Sequence, residues 1–203
     1  MNQVTRNEFA SKFIINRLRT FYEAGFVLNT RSVYFCFLIY TLKSLHMRKE
    51  TDYFITSIHS ILDGQPWYGE PAMKILQGVG SSKVYKKPND NSHSLIELLY
   101  HMVTWTEFTL KRLEQKEEKD MAAFEKLDWR EINPEEHTWE KGMAQFKVTH
   151  DLIIDLLGTK DDEFLAEKVE YRDYNFRFLL HGIIQHDIYH LGQIVYLNKL
   201  LLV

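Results

Sequence analysis

A chain of 203 residues, 45 % apolar and 14 % aromatic, is long enough to bury one substantial core and too rich in Phe, Tyr and Trp for disorder. Twenty-five Lys and Arg against 28 Asp and Glu leave a net charge of −3, which offers no footprint for a phosphate backbone and excludes nucleic acid as an expected partner. A single cysteine, Cys36, excludes an internal disulfide and more than one thiolate metal ligand, and fits a reducing cytoplasm.

Residues 1–46 read as an N-terminal extension that can be helical, followed by one domain over 47–203. The apolar run at 32–42 is about half the roughly twenty residues a membrane span needs, so no membrane association is expected. Lys43, Ser44, Leu45 and His46 follow it where a secretory signal would carry a small-residue cleavage site. The first clear helix is 50–62, where Ile55, Ile58 and Leu62 recur at helical spacing before Asp63 and Gly64 stop it. A Gly- and Pro-rich connector comes next, with a short helical piece at 72–77.

The second long helix opens at Ser94, with Glu97 completing a capping box, and runs to about 117. KRLEQKEEKD at 111–120 reads as its solvated, charged end. A third helix is expected from Asn133, with Pro134 in its first turn, to Leu157 before Gly158. The fourth spans about 175–202. No stretch alternates with period two long enough for a sheet, so four amphipathic helices make an all-α four-helix bundle. The long connections between these helices imply a crossover.

In the fourth helix, HDIYH at 186–190 places two imidazoles one turn apart, about 40° from each other around the axis. Leu179, Ile183, Leu197 and Leu201 share that face, so both rings point inward. Nine histidines produce such a pair by chance about 0.4 times in a chain of this length, so the spacing alone is weak. The comparison with the zincin HExxH motif fails: LGQIVYLNKLLLV after His190 holds no further ligand, and Asp187 is a methylene shorter than the glutamate. A third ligand must come from upstream. His101 shares a face with Glu97, Leu98, Trp105 and Phe108, and His150 lies with Phe146, Ile153 and Leu157, so both are inward candidates. His93, His181, His46, His59 and His137 lack a partner at useful spacing.

NSHSLIELLYHMVTW at 91–105 and HGIIQHDIYHLGQI at 181–194, with PWYGEPAMKILQGV at 66–79, resemble the DinB-like superfamily of metal-dependent bundle proteins, the likeness covering about 48–202. The resemblance implies a four-helix bundle, often a homodimer, with a divalent ion held by His101, His186 and His190. His150 is then left as an alternative ligand or as a partner of a ligating ring. Three neutral imidazoles suit zinc or nickel and leave a coordination position open. Glu97, Asp187 and Tyr189 are the candidate catalytic side chains, and Gln193 a candidate to orient an imidazole. Because the superfamily includes thiol-dependent S-transferases, the expected function is transfer of a low-molecular-weight thiol to an electrophilic small molecule. The alternatives are a metal-dependent hydrolase and a non-catalytic, metal-stabilised dimeric bundle.

Overall fold

The computed structural model describes residues 48–115 and 121–201; the expected extension over 1–46 lies outside them. Among the described residues there are six α-helices and no strand. They are α1 (Lys49–Leu62), α2 (Ala72–Gln77), α3 (Leu95–Leu113), α4 (Met121–Leu127), α5 (Trp139–Leu157) and α6 (Phe176–Leu200). None of the described helices is long and apolar enough to cross a membrane.

The long helices begin where side chains can satisfy their first free N–H groups. At α3 the box is complete: Ser94 Oγ accepts from the Glu97 N–H, and the Glu97 carboxylate accepts from the Ser94 N–H at 2.7 Å. Asn175 accepts from the Phe178 N–H to open α6. For α1 the cap comes from far along the chain. The Asp162 carboxylate accepts from the N–H groups of Glu50 and Thr51, at 3.1 and 2.8 Å, and from the Thr51 hydroxyl at 2.9 Å.

Two boundaries differ from expectation. The helix expected from Asn133 begins at Trp139, because Asn133 closes a turn of its own. Its side-chain carbonyl accepts from the Glu135 N–H, and its backbone carbonyl from Glu136 and His137. Thr138 is the true cap, accepting from the Lys141 N–H, and the Trp139 indole N–H anchors the start on the Leu76 carbonyl at 3.0 Å. Helix α3 ends at Leu113, short of 117, where Gln115 turns into the left-handed region at φ 52°. The separate helix α4 that follows was not anticipated.

Helices α1, α3, α5 and α6 form the bundle, with α1 and α3 each packed against both α5 and α6. Two core clusters set their directions. One joins Leu95, Leu99 and Met102 of α3 to Ile61 and Leu62 of α1, Trp139 and Phe146 of α5, and Leu191, Ile194 and Leu197 of α6. The other joins Phe108 and Leu113 of α3 to Phe54 and Ile58 of α1, Ile153 and Leu157 of α5, and Phe176, Leu179 and Leu180 of α6. So α3 and α5 run parallel as neighbours while α6 runs antiparallel to α3. Parallel neighbours require the chain to travel back along the bundle, and α4 begins that return; this is the crossover connection. Close approach of α3 and α5 depends on Gly142, where a Cβ would meet the Leu99 side chain at 2.8 Å.

The Asp162 cap yields a test with a definite sign. Burial opposes ionisation of Asp162, but the N–H groups of Thr51 and Glu50 outweigh it and hold its pKa below the ordinary 3.8. Its contribution is therefore present above that value and lost as pH falls through the native pKa. Asp162→Ala is expected to cost about 1 kcal/mol at pH 7, the usual size for a lost cap. In urea titrations the difference between variant and parent should shrink as the pH is lowered below 3.8.

Candidate metal centre

His101 lies midway along α3, and His186 and His190 lie one turn apart near the middle of α6. Antiparallel packing of the two helices brings the three rings to one point between the two halves of the core. His186 Nε2 is 2.9 Å from His101 Nε2, which is 3.0 Å from His190 Nε2. One ligand atom from each residue lies within 4.8 Å of the others, and among the described residues this is the one such group that could hold a metal ion. His101 and His190 are buried, and His186 is partly exposed.

The outer ring nitrogens determine what the inner ones can do. His101 Nδ1 faces the backbone carbonyl of Asp128 at 3.1 Å and its carboxylate Oδ1 at 3.0 Å. Both are acceptors only, so the ring proton is on Nδ1. His190 Nδ1 donates likewise to Gln193 Oε1 at 2.6 Å. Burial lowers the pKa of both rings, and with the added effect of His186 it takes His190 down to about 4. The rings are thus neutral, and their Nε2 lone pairs point at one another with no proton between them. Such an arrangement is repulsive unless a cation occupies the middle. Two nitrogens each about 2.1 Å from a zinc ion are about 3 Å apart when they subtend a right angle at it, so the observed separations suit one shared ion. The donor set suits zinc or nickel and does not suit calcium.

Asp128 and Trp129 were not foreseen as parts of the site. The crossover carries them past the middle of α3, where Trp129 stacks on His101 with centroids 4.0 Å apart and planes within 7°. On its other face the indole stacks on His93 at 3.6 Å. Asp128 also accepts from the Trp105 indole N–H at 2.6 Å. Thr104 ties down the preceding turn by donating to the Leu127 carbonyl at 3.0 Å. No periodicity marks these residues, because their role depends on where a connecting segment passes. An aspartate next to a tryptophan after a short apolar helix was the one available signal.

Behind His186 lies a buried pair. His150 Nε2 is 2.9 Å from Asp187 Oδ2, and His150 Nδ1 donates to the Phe146 carbonyl at 2.8 Å. His150 therefore lies outside the three-histidine group and meets α6 at Asp187. Burial raises the Asp187 pKa, but the neighbouring imidazoles of His150 and His186 outweigh it and keep the carboxyl below its ordinary range. Asp187 Oδ1 and His186 Nδ1 face each other at 3.7 Å, too far for a hydrogen bond, and both are otherwise without a partner. A ligating histidine normally donates its second N–H to such a carboxylate, so this gap lies where a small ring adjustment on ion binding would close it.

The remaining candidates lie apart. The Glu97 carboxylate is engaged by Ser94 and by Lys87 Nζ at 2.8 Å. Tyr189 is 63 % exposed, with its ring edge-on to His190 at 4.8 Å. His181 packs against Phe54 and is not in the cluster.

His101→Ala, His186→Ala and His190→Ala are each expected to bring bound zinc well below one per chain by elemental analysis, while His181→Ala stays stoichiometric. Asp128→Ala or Gln193→Ala should weaken zinc binding about 10- to 100-fold in competition with a chromophoric chelator. Removing one member of the buried pair strands the other. His150→Ala should therefore cost about 3–5 kcal/mol in urea denaturation, and His150→Leu combined with Asp187→Leu should cost less.

No curated protein matches the chain. The family model described as the DinB superfamily matches residues 72–194, a stretch that includes all three clustered histidines and Asp128. With that match over more than half its length and an all-helical bundle around the cluster, the chain belongs to the DinB superfamily.

Proposed function

We propose that the protein is a divalent-metal-dependent enzyme that transfers a low-molecular-weight thiol to an electrophilic small molecule, with His101, His186 and His190 as the metal ligands. What zinc or nickel supplies when bound is Lewis acidity, under which a small thiol ionises near neutral pH. The sulfur then forms a bond to the electrophilic carbon, the leaving group departs with its electron pair, and the thiol proton passes to solvent. The chain's own part is positional. Asp128 and Gln193 fix the tautomers of His101 and His190 so that both present lone pairs inward, and Trp129 covers one side of His101 against water.

One observation favours thiol transfer over hydrolysis. Activation of water benefits from a carboxylate base beside it. Here Glu97 is held in the capping box and by Lys87, Asp187 is buried with one oxygen paired to His150, and Asp128 is engaged by both His101 and Trp105. Thiol chemistry needs an ionised sulfur and a pocket, and no such base.

The test is conjugation of monochlorobimane, followed by fluorescence at pH 7, with cysteine, glutathione or 2-mercaptoethanol and the zinc- or nickel-loaded protein. Conjugation above that of the free metal with at least one thiol, abolished by His101→Ala, is the expected result. Hydrolysis of nitrophenyl esters with no thiol conjugation would replace this reading with the hydrolase. Inactivity in both assays at full metal loading would leave the metal a stabilising role.

A further inference from the structure

Beside the histidine cluster, between α3 and α6, there is a cavity of about 170 Å³. Its walls are Trp105, Phe108, Tyr174, Phe178, Leu179 and Ile183, and His186 forms one end. Two of the polar groups along this wall are already committed, the Trp105 indole N–H to Asp128 at 2.6 Å and the Thr109 hydroxyl to the Trp105 carbonyl at 2.9 Å, and the others belong to Tyr174 and to His186 at its end. No Asp, Glu, Lys or Arg is among the described residues lining it. With few polar atoms and no acidic or basic side chain to pair with, such a space repays little of what a charged or strongly hydrated group loses on leaving water. It does reward a flat apolar body, and an apolar cavity of about 150 Å³ is known to hold one benzene ring. The exposed Phe178 and Gly182 mark its rim on α6.

We infer that this cavity receives the apolar body of the substrate, a single aromatic ring or a branched alkyl group of similar size, and leaves its reactive polar end beside His186 and the metal ligands. The inference rests on the metal reading of the three histidines, since His186 is shared by the cavity wall and the cluster. It narrows the electrophile to compact, uncharged-bodied molecules and disfavours sugars, nucleotides and peptides with charged side chains.

Two probes separate the cavity from the metal. 4-Fluorotoluene, followed by fluorine NMR, reads the cavity alone in chelator-treated protein. On zinc-loaded protein, 4-fluorobenzohydroxamic acid compared with acetohydroxamic acid reads the benefit of a ring attached to a metal-binding head. Gly182→Leu is the blocking variant. A Cβ at Gly182 meets nothing within 4 Å, and leucine is the better helix former, so the helix is preserved. Phe178→Ala, at the rim, is a second variant that removes contact without filling space.

Fluorotoluene should bind the parent and be lost in Gly182→Leu, and be weakened several-fold in Phe178→Ala. The aryl hydroxamate should bind the parent about tenfold or more tighter than acetohydroxamate, and Gly182→Leu should erase that margin while leaving acetohydroxamate unchanged. His101→Ala should lose both hydroxamates and retain fluorotoluene. Absence of fluorotoluene binding in the parent, or an undiminished aryl margin in Gly182→Leu, would overturn the cavity assignment. Fluorotoluene binding with no hydroxamate binding to the metal-treated parent would support the cavity and overturn the metal reading instead.

Discussion

Two buried ring nitrogens that can only accept, Nε2 of His101 and of His190, held 3.0 Å apart with His186 Nε2 2.9 Å from the first, form the constraint around which this molecule is arranged. Neutral imidazoles in contact do not attract one another through their lone pairs, so the arrangement must be imposed from outside. Asp128 and Gln193 impose it on His101 and His190 by accepting hydrogen bonds from their outer N–H groups. Pressure from the two core clusters on either side of the rings holds the backbone in place. The stability of the bundle thus works against the electrostatics of its centre, a conflict that a cation resolves.

The parallel pairing of α3 and α5 is what makes the clamp available. A bundle in which each helix turned directly into an antiparallel neighbour would have no segment running back beside α3. Here the return brings Phe124 against Phe108 at 5.5 Å, and immediately afterwards sets Asp128 and Trp129 level with His101. The topology therefore determines the tautomer of His101. Behind α6, the pair of His150 and Asp187 links α5 to the same place, so three of the four long helices bear on the cluster.

What could be read from the chain followed from local rules. Helical spacing put His101, His186 and His190 on inward faces, and the Ser94 and Glu97 box marked the start of α3, where the complete box is found. At Asn133 the same local rule misled, because Asn133 and Thr138 both carry cap chemistry, and the choice fell to burial of Trp139 against α2. Asp162 capping a helix more than a hundred residues earlier and Asp128 reaching back to His101 are contacts between segments with no shared period. Such contacts become visible only once the path of the connections is known. His150 was weighed as a ligand from its face alone; its true neighbour, Asp187, lies on another helix.

One carboxylate, that of Asp128, grips both the indole of Trp105 and the imidazole of His101. The first of these rings walls the apolar cavity and the second belongs to the histidine cluster. A change in either grip alters the charge felt by the other, because the same oxygen is divided between two donors. The shape of the cavity at Trp105 and the basicity of the His101 ring are accordingly not independent traits, and any lineage that reshapes the one must at the same time retune the other.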